Sequence, residues 1–156
     1  MKLKEKLDSL LGWSLAMLMA VMVVNVTWQV FSRYILNDPS SWTDEVSRYM
    51  LVWLGLLGAA YVSGKNGHLA IDVILTKLKG KKSYVVNVII HVLIILFAAI
   101  VMVWGGGNLV YITQVLEQKT ATLQVPLSWI YMMIPLSGVF VIFYHISHIS
   151  TLKLQD

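Results

Sequence analysis

From Tyr84 to Leu116 the chain runs for 33 residues without an Asp, Glu, Lys or Arg. As an α-helix this stretch is about 50 Å long, at roughly 1.5 Å per residue, against a bilayer hydrocarbon core of about 30 Å. A soluble domain of this size has no interior that could cover it. The run requires a membrane, and three shorter apolar runs accompany it. With 58% hydrophobic and 13% charged residues, the chain reads as an all-α integral membrane protein. Its apolar runs are continuous, whereas barrel strands would alternate. Four transmembrane helices are expected, at about 10–32, 44–63, 84–116 and 126–150, within one membrane domain covering 1–156. The third is too long to stand upright. It must tilt steeply, or project beyond the membrane from about Gly105-Gly106-Gly107-Asn108. Pro135 inside the last span predicts a kink.

Between the second and third spans, Gly64-Lys65-Asn66-Gly67-His68 breaks the helix. The stretch 69–80 is too short and too charged to cross. On a helix its Leu69, Val73, Ile74 and Leu78 form a stripe, with Asp72, Thr76 and Lys79 facing away, which predicts a short amphipathic helix lying in the interface. Lys2, Lys4 and Lys6 have the look of a signal n-region, but the apolar run behind them is too long for a signal and lacks a small-residue cleavage site; a retained first span is expected. Four spans put both termini on one side. That side collects Lys2, Lys4, Lys6, Lys65, Lys77, Lys79, Lys81, Lys82 and Lys153, nine of the twelve basic residues. By the positive-inside rule it is cytoplasmic, and Lys77 to Lys82 are expected to touch anionic phospholipid headgroups.

The outer lip of the second span carries Ser41-Trp42-Thr43-Asp44-Glu45-Val46-Ser47-Arg48. Arg48 stands four residues after Asp44 and three after Glu45, so on a helix either acid can reach the guanidinium. Ionisable residues at a membrane boundary suggest function. The plainer reading is a capped helix start, with acids in its first turn and a Trp at headgroup level. Gly55, Ala59 and Ser63 follow at i+4 steps, with Gly58 adjacent, and such a small-residue face lets another helix approach closely in lipid.

Catalytic chemistry is not visible. The chain has no Cys, no His-Glu-x-x-His and no phosphate-binding Gly-Lys-Ser/Thr loop. The glycine triplet does not qualify as such a loop, since neither the preceding strand nor the Lys is there. No enzyme activity, cofactor, metal or nucleic-acid partner is expected. The spans lack a mid-membrane carboxylate, which a self-sufficient proton-coupled carrier would normally need. A small multidrug exporter would carry an acid in its first span, and Leu10 to Phe31 has none. The rival from another class is a membrane anchor of a respiratory redox complex, with or without haem. His68, His91, His145 and His148 all fall toward the cytoplasmic side, but the sequence fixes no pair at matching depth.

Arg33-Tyr34, then Trp42-x-x-Glu45-x-x-Arg48, Trp53, Gly58 and Gly67-His68-x-x-x-Asp72 resemble the small membrane subunit of TRAP (tripartite ATP-independent periplasmic) transporters. Leu123-x-x-Pro126-x-x-Trp129, with Pro135 and Gly138, is similar to the start of that family's last span. Asp44-Glu45 stands where many members have two glutamates. The resemblance implies a bacterial inner-membrane protein that carries no transport site. It would scaffold and anchor a large permease subunit, which takes up acidic organic solutes such as C4-dicarboxylates or sialic acid with sodium. It would also help to dock a periplasmic substrate-binding protein. On that reading Trp42, Asp44, Glu45, Arg48, Gly55, Gly58 and Ala59 meet the large subunit. Arg33, Asp38 and Lys119, with their loops, face the binding protein, and His68 and Asp72 orient the interfacial helix.

Overall fold

A computed structural model describes residues 2–65 and 81–151. Helix α1 (Lys2–Tyr34) ends where Asn37 adopts a left-handed conformation (φ 53°) and the Asp38 N–H returns to the Ser32 carbonyl at 3.2 Å. Asn tolerates this conformation better than most residues, and the bond closes the helix end. Helix α2 (Ser41–Gly64), with Ser40 at its N-cap, begins three residues before the expected span at 44. Its first turn is tied by the Thr43 hydroxyl, which donates to the Ser40 carbonyl at 2.7 Å and lies 2.6 Å from the Ser40 hydroxyl.

The third span is one continuous rod of three parts: α3 (Lys81–Phe97), a π-helical segment (Ala98–Gly105) and α4 (Gly106–Val115). The glycine triplet does not end it. Residues 116–126 then fold into a tight loop in which Lys119 and Pro126 face each other as an antiparallel bridge. The Leu127 N–H donates to the Gln118 carbonyl at 2.9 Å, and the Thr120 N–H to that of Val125 at 2.9 Å. The last span is α5 (Leu127–Tyr131) and α6 (Met133–Thr151), interrupted at Met132. Pro135 has no N–H for the Tyr131 carbonyl four residues back, so the break falls just ahead of the proline.

The spans stand in a row rather than a closed bundle: α1 packs on α2, α2 on α6, and α6 on α3 and the π segment. One core cluster joins Leu11, Leu57 and Tyr144 across α1, α2 and α6; the other joins Ala60, Ala98 and Val141 across α2, the π segment and α6. Two glycines set the register of the last two spans. A Cβ on Gly138 would lie 2.7 Å from Met102 Cβ, and one on Gly106 would lie 2.8 Å from Ile134 Cγ2. Only a hydrogen side chain allows these approaches. A row leaves its flanks open. In their most apolar stretches only 11% of the first span and 6% of the third are buried within the chain, against 22% and 33% of the second and fourth.

The expected interfacial helix at 69–80, with His68, Asp72, Lys77 and Lys79, lies outside the described residues. Lys81 and Lys82 form the first turn of α3.

Candidate functional site

At the end of the row that carries the α1–α2 turn and the 116–126 loop, polar side chains gather on α2. The ambiguity of the two acids is resolved here. Asp44 takes the arginine: Arg48 Nη2 donates to its Oδ2 at 3.1 Å, and Gln29 Nε2 of α1 donates to its Oδ1 at 3.0 Å. Glu45 turns to the loop instead, where its Oε2 accepts the backbone N–H groups of Thr122 (3.1 Å) and Leu123 (2.9 Å). A carboxylate gathering two backbone donors holds a loop tip more firmly than a surface ion pair holds anything, because the bonds are charge-assisted and the backbone carries no rotamer freedom. The Tyr49 hydroxyl steadies Glu45 from one turn below, at 3.4 Å from Oε1. Trp53 Nε1 donates to the Ile130 carbonyl at 3.1 Å, tying α2 to α5.

A second tie lies beneath Asp44. Asn25, buried in the uncharged first span, donates through Nδ2 to the Thr43 carbonyl (2.8 Å) and to the Ser47 hydroxyl (2.7 Å). The sequence signal for it is a lone amide two turns inside an apolar run, where a polar group needs a partner.

Outside these ties the rim is open. Arg48 and Asp44 keep 72% and 55% of their side-chain surface exposed, so their pair adds little stability by itself. Trp42, Arg33, Asp38 and Lys119 are exposed at the same end of the molecule. Lower on α2, Gly55 and Ala59 are exposed and Gly58 half-buried. No described atom lies within 4 Å of a Cβ built on Gly55 or Gly58. The Gly55–Gly58–Ala59 part of the small-residue face is therefore left open by the described chain, whereas Ser63, the last of the stripe, is buried. Of the expected interface residues, Glu45 alone among the charged ones is bound into the chain's own loop.

At the opposite end, His91 of α3 and His145 of α6 meet directly, Nδ1 to Nδ1, at 2.6 Å. Sequence spacing alone matches no such pair in depth.

Comparison with known proteins decides the family. The sequence profile of the DctQ component of tripartite ATP-independent periplasmic transporters matches residues 22–153. The chain belongs to the DctQ family. It is 31% identical over 137 residues to the sialic acid TRAP transporter small permease protein SiaQ of Vibrio cholerae, covering 86% of this chain and 76% of that one. A TRAP transporter small permease protein of Haemophilus influenzae is 25% identical over 122 residues, 78% of this chain and 73% of its own length. Another from that organism is 38% identical over 61 residues, 39% of this chain and 38% of its own. This DctQ protein is thus a multi-pass membrane protein, the small permease subunit of a TRAP transporter and not an enzyme.

Proposed function

We propose that this DctQ subunit is a membrane scaffold: it enlarges and anchors the large permease subunit and presents part of the outer surface on which the periplasmic substrate-binding protein docks. The observation that carries this is the pairing of an open small-residue face on α2 with a rim whose Asp44–Arg48 pair is exposed but held in place. In lipid, helices associate through close backbone approach and hydrogen bonding, because lipid tails are as apolar as the side chains. Gly55, Gly58 and Ala59 offer that approach, and Trp42, Asp44 and Arg48 offer the polar contact above it. Glu45 acts from inside, by fixing the 116–126 loop beside this face. The nine lysines gathered at the end of the termini favour a cytoplasmic location for both termini in the bacterial inner membrane. Arg33, Asp38, Lys119 and the two turns then face the periplasm and the binding protein. Lys77 to Lys82, with His68 and Asp72 ahead of them, would rest on anionic phospholipids, worth about 1 kcal/mol per basic residue near the surface.

The SiaQ relative supports an acidic organic solute, sialic acid or a C4-dicarboxylate, taken up by the large subunit with sodium. The described spans offer no mid-membrane acid on which this chain could carry a solute itself. The test is Arg48→Ala in the complete transporter. Reduced recovery of the large permease with the tagged small subunit, or reduced solute uptake, is the expected result. Unchanged recovery together with unchanged uptake would remove the rim from the proposed interface.

A further inference from the structure

The three described histidines gather where the row of helices ends beside the termini. His145 is fully buried and His148 is 6% exposed, three residues apart on α6. The His91 ring stacks on that of His148 with centroids 5.9 Å apart and planes 18° from parallel, and lies 4.9 Å from that of His145. Each histidine contact joins a different helix to α6. His145 reaches α3 through His91, and His148 Nε2 donates to the Ser63 carbonyl in the last turn of α2 at 3.0 Å. Immediately before them on α6, Tyr144 reaches α1 by donating to Asp8 Oδ1 at 2.7 Å. Four spans are held at one level by one turn of one helix.

The His91–His145 contact sets a limit on protons. One Nδ1 must carry hydrogen and the other must offer a lone pair, so the accepting ring is neutral with its hydrogen on Nε2. The donating ring can be neutral or cationic. The contact therefore survives the uptake of one proton. A second proton makes both Nδ1 atoms donors, and two like charges then share a site with ring centroids 4.9 Å apart. The His148 bond has no such limit, because Nε2–H donates to the Ser63 carbonyl in either state.

We propose that His91 and His145 form a proton-limited joint that holds α3 against α6 at neutral pH and releases it in acid, when both rings are protonated. Other titratable groups among the described residues at this end include Lys4, Glu5, Lys6 and Asp8 on α1, Tyr61 and Lys65 on α2, Lys81, Lys82 and Tyr84 on α3 and Tyr144 on α6; the charges of Lys4 and Asp8 reach His148. Of the described groups, His91 and His145 are the pair whose mutual contact is lost when both carry an extra proton. Separated imidazoles take up their protons around pH 6.5, so an open joint binds up to one proton more than a closed one. Below that pH the opening equilibrium rises by up to tenfold per pH unit.

The test compares wild type with His91→Asn in the intact complex with its large permease, in mild detergent, between pH 7.5 and 5. The Asn amide reaches the position of Nδ1 and can serve His145 as donor or acceptor, so the contact survives at any protonation. Wild type is expected to lose thermal stability progressively in acid, and His91→Asn to flatten that dependence. Equal pH dependence in the two overturns the proposal. Should the variant fail to assemble, exchange of the imidazole C2 hydrogens, followed by mass spectrometry on wild type, decides the matter. In the closed protein only one of the two rings is expected to become cationic. Both becoming cationic while α3 and α6 remain protected from exchange overturns the joint.

Discussion

Glycines of the same chain make opposite predictions when enlarged, and the contrast isolates the face offered to the large subunit. Gly58→Leu places a side chain where no described atom of the chain lies within 4 Å. It also removes a helix-interior glycine, which favours the helix by up to about 1 kcal/mol. The subunit alone should therefore keep or slightly raise its thermal stability. Gly138→Leu starts from a Cβ already 2.7 Å from Met102 Cβ and 3.1 Å from Val103 Cγ2. Ordinary carbon contacts begin at about 3.5 Å, so α6 and the π segment must part by roughly 1 Å. Overpacking of that kind costs about 1–3 kcal/mol before the rest of the leucine is placed, so the isolated subunit should lose stability measurably. If another helix seats on the Gly55–Gly58 face, the same 1–3 kcal/mol appears instead as complex affinity, a loss of about 5- to 150-fold. The assay is paired: thermal midpoint of the purified subunit, and recovery of the large permease on the tagged subunit. Gly55→Leu should behave as Gly58→Leu does. Recovery of the permease at wild-type levels with both variants would refute the reasoning, because it would leave this face to lipid.

Glu45→Gln keeps the shape of the side chain but removes its charge, so the Thr122 and Leu123 N–H groups should exchange with solvent faster while the helices of the hairpin stay protected. Unaltered exchange at those two amides would mean that the loop holds itself through Thr120 and the Lys119–Pro126 bridge. Asn25→Leu removes two interhelical hydrogen bonds. At about 0.6 kcal/mol each in a membrane it should cost the α1–α2 pair roughly 1 kcal/mol, read as a lower thermal midpoint of the subunit. No change there would make the Asn25 contacts incidental.

What the sequence makes legible is whatever one helix decides for itself. Span positions follow from runs of apolar residues, the break ahead of Pro135 from a missing N–H, and the rim from the density of ionisable groups beside an apolar run. Asp44 and Glu45 show where such reading stops. Both stand at helical spacing from Arg48, and the choice between them is made by the Thr122 and Leu123 amides, 77 and 78 residues further along. The histidines show the same limit in depth. Two antiparallel spans slide past each other freely until something fixes their register. Here the fixing points are glycines, Gly106 under Ile134 and Pro135 and Gly138 against Met102. Stepping down the two helices from these contacts brings His91 level with His145. The π segment adds a further displacement, because it packs more residues into each turn than an α-helix does, and its run Ala98–Gly105 carries no sequence mark of it. The small-residue stripe on α2 has the opposite character. Its pattern is visible at once, yet it looks the same whether it serves a contact inside the chain or outside it. Gly138 and Gly106 are filled by the chain itself and Gly55 and Gly58 are not, and that difference in geometry, rather than the pattern, directs α2 toward a partner.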